Sequence, residues 1–269
     1  MDHFSRVKEE FKRQAETLSV APVFTDSGVL DQIHAAMKPT KTMTLLDLGC
    51  GPGIVTAAMA PDVREVVAYD LTPEMLDKAR QRCQVAGLKN VRFELGRAED
   101  LRFEKESFDG VVTRLTIHHF PDPRRVMKEA ARVTRGNGRI IVADVVSSEN
   151  DEEAMLHNAL ETLRDPTHVR MFSPSDMLEL IKSAGLRITS TVSWEMKRDY
   201  DEWISITNAP ERVKPLYTVM ATLAKAGIHA GINLHFDGRT VVFTHCWLLV
   251  TAEKEPSRDV GAVKEQEKI

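Results

Sequence analysis

Asp47-Leu48-Gly49-Cys50-Gly51-Pro52-Gly53 sets three glycines at alternate positions behind a carboxylate. Glycine tolerates positive φ and lets a ligand approach the backbone closely, so this spacing suits a turn that cradles a small molecule. Tight strand-to-helix turns also use glycine, and the triplet gains weight only from its surroundings. Asp70 ends the next apolar run, where a carboxylate accepts hydrogen bonds from both ribose hydroxyls of an adenosine group; capping a helix is its alternative role. Leu71 and Met75 then supply apolar surface for an adenine face. In Gly96-Arg97-Ala98-Glu99, the Ala98 amide and the Glu99 carboxylate could read the adenine edge, the alternative being a solvated Glu99. The dinucleotide fingerprint G-x-G-x-x-G sets a pyrophosphate at a helix N-terminus. Here the spacing is G-x-G-x-G, and Asp47 is a poor neighbour for a pyrophosphate. It suits a cation, and S-adenosylmethionine carries both an ammonium and a sulfonium.

His118 and His119 follow the apolar run Asp109–Arg114. A histidine of near-neutral pKa can take a proton from a phenol, an enol or an activated carbon; the alternative has His119 bonded to loop backbone and His118 packed. His168 and Arg170 lie in the run Arg164-Asp165-Pro166-Thr167-His168-Val169-Arg170. They either bind an anionic or carbonyl group of an acceptor or tie a cap down. Trp194, Tyr200 and Trp203 read as pocket walls or core. His229, His235 and His245 fall in different expected elements and show no ligand spacing, so no metal site is expected.

These groups need elements to hold them. From Thr44 the chain alternates short apolar runs with helical patterns. The runs are Thr44–Leu48, Glu65–Asp70, Val91–Leu95, Asp109–Arg114 and Arg139–Asp144; the helices between include Gly53–Ala60, Pro73–Ala86 and Pro123–Arg135. Strands alternating with helices imply crossover connections, a parallel sheet and a doubly wound α/β fold. The candidate residues then gather at the carboxyl ends of adjacent strands, where ligands bind in such sheets. Residues 1–38 read as a helical lid, with Phe4, Val7, Phe11, Ala15 and Leu18 on one helix face and Asp26 or Ser27 as a cap. After Asp144 come helices over Glu149–Leu163 and Pro174–Ala184, a strand over Leu186–Met196, a helix over Asp199–Ala226 broken at Pro210 and Pro215, and a strand over Thr240–Ala252. Two cap insertions, 145–185 and 199–238, thus decorate a domain of residues 39–252. Residues 253–269 are charged, lack anchors and read as a mobile tail.

The chain has 269 residues with a formal net charge of -4, and no basic face suggests a nucleic-acid partner. No apolar run is long enough to span a membrane, and the N-terminal residues lack a signal-peptide core. Cys50, Cys83 and Cys246 are few and far apart, which fits a reducing, cytoplasmic setting. A homodimer is compatible with these features.

The set DLGCGPG at Asp47–Gly53, VAYDLTPEML at Val67–Leu76, GRAEDLRF at Gly96–Phe103, SFDGVVTRLTIHHFPDP at Ser107–Pro123 and EAARVTRGNGRIIVAD at Glu129–Asp144 resembles the class I S-adenosylmethionine-dependent methyltransferases. It is most similar to the group around the ubiquinone and menaquinone biosynthesis C-methyltransferases. The run Arg164–Arg170, followed by Asp199–Pro210, resembles a bacterial subgroup. The resemblance spans roughly residues 40 to 250. It implies a seven-stranded sheet whose last strand, Thr240–Ala252, is antiparallel and inserted. It also implies that the backbone at Gly49 and Arg114 helps hold a methionine portion while Asp70 binds ribose. Arg97 stands where relatives carry a small or acidic residue, and Gly136-Asn137-Gly138 replaces a Pro-Gly-Gly. No tyrosine precedes the domain, so Phe24 could replace that aromatic in packing only. The expected activity is methyl transfer to an aromatic, quinone-like or polyketide-like small molecule at carbon or oxygen. A cyclase or ligand-binding regulator on the same fold is the alternative, and an NAD-dependent oxidoreductase fits the glycine spacing poorly.

Overall fold

The computed structural model describes residues 1–255. The N-terminal segment forms α1 (His3–Val20), α2 (Pro22–Thr25) and α3 (Ser27–Met37). The alternating region supplies β1 (Thr44–Leu48), α4 (Ile54–Met59), β2 (Glu65–Asp70), α5 (Pro73–Val85), β3 (Val91–Leu95), β4 (Phe108–Arg114), α6 (Pro123–Val133) and β5 (Thr134–Val146). Beyond it lie α7 (Asp151–Arg164), α8 (Pro174–Ser183), β6 (Leu186–Asp199), α9 (Tyr200–Ser205), α10 (Pro210–Lys225), β7 (His235–Phe236) and β8 (Val241–Lys254).

The helix starts follow local chemistry. Asp2, Asp26, Asp122, Asn150, Ser173 and Asp199 each accept a backbone N–H of the first turn that follows them, satisfying donors a helix cannot pair internally. Proline opens α5, α6, α8 and α10, where its missing N–H has no partner to lose. Pro215 sits inside α10 rather than ending it. The break expected at Pro210 is real, and α9 and α10 are separate helices.

The sheet order is β3-β2-β1-β4-β5-β8-β6. The first five strands run parallel to their neighbours, and β8 is antiparallel to both β5 and β6. The expected inserted antiparallel strand is therefore present. The two-residue β7, paired to β8, brings the count to eight. From β1 the chain winds outward to β3, then returns to place β4 on the other side of β1. The crevice between the carboxyl ends of β1 and β4 is a topological switch point.

Alternating strand residues face two apolar layers. Leu46, Leu48, Val67, Val111, Ile140 and Val142 pack toward α6 and α8, with Val126, Met127, Leu180 and Ile181 opposite. Leu45, Val66, Val112, Ile141 and Ala143 face Ile33, Met37, Val55 and Met59 from α3 and α4. A third cluster, with Tyr200, Trp203, Leu216, Met220 and Phe243, makes the cap around α9 and α10. Glu253 and Lys254, expected in a tail, still belong to β8: Arg187 donates to Glu253, and Lys254 to the Thr134 carbonyl. The rest of that expected tail, 256–269, lies outside the described residues.

Candidate active site

The glycine turn fills the switch point. Gly49 has φ +70°, and a Cβ there would come within 2.4 Å of the Thr116 side chain. Its amide and that of Cys50 both donate to the Tyr69 carbonyl, at 2.8 and 3.0 Å, which locks the turn onto β2. Gly51 has φ +50° and faces open space. Gly53 caps α4 and packs against Ala79 of α5. Asp47 lies beneath the turn, accepting a hydrogen bond from the Thr56 hydroxyl at 2.5 Å. Burial pushes its pKa up to about 7.

Asp70 is held from two sides. Oδ2 accepts from the Gly51 amide at 2.9 Å and Oδ1 from the Thr72 amide at 2.8 Å. The carboxylate is thus aimed before any ligand arrives, although burial raises its pKa despite these donors. Leu71, Met75, Ala98 and Glu99 line the same cleft. Glu99 is buried, and its Oε1 has no hydrogen-bond partner among the described residues. Arg97 lays its guanidinium 3.4 Å from the ring centre of Phe4 on α1, while its carbonyl accepts from the Tyr69 hydroxyl at 3.2 Å. Phe4, Val7 and Phe11 of α1, with Phe24, roof the cleft. The Arg114 side chain holds that roof through the carbonyls of Phe24 and Val23, at 2.7 and 2.9 Å.

His118 and His119 lie on a single 3-10 turn, Ile117–His119, just past the end of β4. Nδ1 of His118 is 2.7 Å from Oδ1 of Asp144 on β5. Asp144 is itself fixed by the amides of Ile117 and Val145, at 3.0 and 2.8 Å. Burial opposes the charged imidazolium, but the Asp144 carboxylate outweighs it and raises the His118 pKa. His119 behaves oppositely. Burial, reinforced by His118, pushes it down to about 3. Its Nδ1 faces Thr167, its ring meets Phe11 edge-on, and its carbonyl accepts from His3 Nε2 at 2.9 Å. Both histidines line the cleft, but only His118 combines a carboxylate partner with raised basicity.

Residues 39–204 match the family described as "Methyltransferase domain". The chain belongs to that family. The uncharacterized methyltransferase YcgJ of Bacillus subtilis is 33% identical over 209 residues, covering 77% of this chain and 83% of that protein. Its solved structure superposes with a TM-score of 0.79 at 29% identity, over 85% of this chain and 99% of that one. A demethylmenaquinone methyltransferase of Clavibacter sepedonicus is 35% identical over 109 residues, 40% of this chain and 44% of that protein. The resemblance read from the motifs is borne out: this is an enzyme of the S-adenosylmethionine-dependent methyltransferase family. No helix among the described residues is long and apolar enough to cross a membrane.

The expected acceptor-side residues of this methyltransferase are dispersed. Trp203 lines the cleft. Trp194 stacks on Trp247 at 5.5 Å, outside the lining. Tyr200 is core, its hydroxyl bonded to the Val213 carbonyl. His168 lies 5.7 Å from the His118 ring, but its Nε2 is spent on Asn158 at 2.8 Å. Burial lowers its pKa to about 4. Arg170 is exposed, paired with Asp176 and set over Phe172. The run 165–170 ties the cap to the His118 turn, since the amides of Val169 and Arg170 both donate to the His118 carbonyl.

Sequence reasoning gave no role to Asp144 or Asp165. Asp144 could have been found as a carboxylate at the carboxyl end of the strand beside the His118 strand. Asp165, Glu161, Arg198, His245 and Trp247 also reach the cleft. They come from α7 and the residue just past it, β6 and β8, whose approach depends on cap packing that the sequence pattern does not encode.

Proposed function

We propose that this methyltransferase moves a methyl group from S-adenosylmethionine to a hydroxylated aromatic or quinol-like small molecule, using His118 as the base. The observation that carries this reading is the His118–Asp144 pair opening into the cleft that Asp70 and Glu99 share. The apolar roof of Phe4, Phe11 and Phe24 and the indoles of Trp203 and Trp247 suit a flat, largely apolar acceptor. The quinone-related relative supports the same acceptor class.

The residues present fit the cofactor. Asp70 presents an aimed carboxylate to the ribose hydroxyls, Glu99 has a buried oxygen without a donor, and Gly51 leaves space beside the turn. Asp47 adds negative charge for the cationic end. When bound, S-adenosylmethionine supplies an electrophilic methyl on a sulfonium, a leaving group that needs no protonation. His118 Nε2 takes the proton from the acceptor hydroxyl, while Nδ1–H stays donated to Asp144, which stabilises the imidazolium. The acceptor oxygen, or the ring carbon conjugated with it, thereby becomes the nucleophile. The α1 roof keeps out water, which would otherwise solvate that nucleophile.

The test is calorimetry with S-adenosylmethionine and NAD on the wild type, followed by turnover with a panel of phenols and hydroquinones. His118→Gln should retain cofactor affinity while kcat falls by about 10²- to 10⁴-fold. Unchanged turnover would remove His118 as the base. A wild type that binds S-adenosylmethionine but methylates no acceptor of this class would favour a repurposed cyclase or regulator.

A further inference from the structure

A second cluster of potential ligands meets behind the acceptor end of the cleft. His157 and Glu161 stand four residues apart on α7, a spacing that sets their side chains on one helix face. His245 reaches them from β8. One donor atom of each lies within 4.8 Å of the others, and all three side chains are buried. Nε2 of His245 is 3.2 Å, and Nε2 of His157 3.8 Å, from Oε1 of Glu161. Neither contact has hydrogen-bond geometry. Both ring nitrogens of His157, Nε2 of His245 and Oε1 of Glu161 are buried without a hydrogen-bond partner among the described residues. Buried polar atoms are nearly always paired, so several bare ones converging on one point require an explanation.

We propose that His157, Glu161 and His245 form a binding site for a divalent transition-metal ion. Two imidazoles and one carboxylate are the donor set of zinc and ferrous centres, and are less suited to the all-oxygen preference of magnesium or calcium. Three protein ligands leave a coordination position open. Glu161 and His245 line the cleft, so that position faces the acceptor end. Resting on the methyl-transfer reading, it is where a hydroxyl or carbonyl oxygen of the acceptor would be held.

The surroundings bear on the affinity. Glu161 Oε2 accepts from Arg164 at 3.3 Å, which steadies the carboxylate. Nδ1 of His245 lies 3.4 Å from an Arg198 nitrogen, and Glu202 binds the same guanidinium at 2.7 and 3.0 Å. In the metal-free protein that contact sets the His245 proton on Nε2. Ligation at Nε2 moves the proton to Nδ1 and displaces the Arg198 contact, while the Arg198 charge stays matched by Glu202. The pattern was invisible along the chain because His245 is far from α7 in sequence and joins it only through the β8 register.

The experiment uses the whole protein, stripped with chelator and titrated with Zn²⁺ by calorimetry and with Co²⁺ by visible absorption. The proposal expects one ion per chain and cobalt d–d bands of a four- or five-coordinate site. His157→Leu and His245→Leu should each weaken binding at least tenfold, and the double variant should bind no ion at this site; circular dichroism checks that each is folded. No stoichiometric binding by the wild type, or equal binding by wild type and the folded double variant, would overturn it. Cofactor titration runs separately, so failure of the metal site is distinguishable from failure of the methyl-transfer reading.

Discussion

Asp47 and His118 are ionisable groups whose pKa values are both raised, one by burial and the other by a partner. Asp47 has its pKa near 7 because its carboxylate is sealed beneath the glycine turn. Below that pH it is neutral and offers a cationic ligand no charge; above it, the carboxylate attracts. The affinity for S-adenosylmethionine should therefore rise with pH from 6 to 8, with proton release on binding. Calorimetry in buffers of different ionisation enthalpy checks this, and pH-independent affinity would count against Asp47 as the counter-charge. Asp47→Asn should flatten the dependence. Asp70 makes a different prediction, because its oxygens are aimed by the Gly51 and Thr72 amides. Hydrogen bonds to a charged group contribute about 1.5–3 kcal/mol, so Asp70→Ala should weaken cofactor binding by roughly 10- to 100-fold. His118 should give kcat an acidic limb, since a base protonated at low pH cannot accept a proton, with an inflection above the ordinary histidine value because of Asp144.

Helix α1 is tied at several points along its length. Phe4 sits under Arg97, His3 donates to the His119 carbonyl, and Gln14 donates to Asp165 at 3.2 Å. Glu10 receives Arg212 of α10 at 2.7 and 3.0 Å. Lys12 pairs with Glu74 of α5, but so exposed a pair contributes little. The consequential ties are the buried ones and the stacked Arg97, so Arg97→Ala should loosen the lid while sparing the sheet. The expected result is faster product dissociation, read by stopped-flow fluorescence, with an unfolding midpoint near that of the wild type; unchanged dissociation would argue against a gating lid. The sequence revealed α1 through its apolar face, and β1 to β5 through their alternation with helices, because both signals are periodic and local. It brought Asp47, Asp70 and Glu99 to one cleft because they lie at or just past the carboxyl ends of adjacent strands β1, β2 and β3. It identified Arg97 as a departure without its purpose, since Phe4 lies far away in the chain and approaches only when α1 folds over. The expected acceptor residues were least legible for the same reason: Tyr200 and Trp203 look alike in sequence and share one core cluster, yet Trp203 also lines the cleft and Tyr200 does not.

The whole chain concentrates histidine in the cap-to-sheet junction, and this couples folding to pH. His119, His168 and His245 have their pKa values pushed by burial to about 3, 4 and 4, while an unfolded histidine titrates near 6.5. Between pH 6.5 and about 4 the unfolded chain therefore binds protons at these sites that the metal-free native state refuses. Stability must rise with pH across that window, by about 1.4 kcal/mol per pH unit for each net proton. Two buried carboxylates oppose the trend. Asp47 and Asp70 have raised native pKa values, so they hold protons in the fold that the unfolded chain has released. His118, raised by Asp144, acts above that window instead: it contributes stability that is present below 6.5 and lost as pH climbs through its native pKa. Three histidines against two carboxylates leave the balance in favour of destabilisation by acid. Toward pH 4 and below, Glu10 adds to it, because Arg212 and Arg13 lower its native pKa and the unfolded chain takes up its proton first. The unfolding midpoint should fall as pH drops from 6.5 to 4, most steeply at the acidic end. Calorimetric scans across that range check it, and a flat or rising midpoint on acidification would mean that the buried histidines accept protons in the native state. Replacing His245 by leucine removes one such site, so the slope between pH 6.5 and 5 should become shallower in that variant.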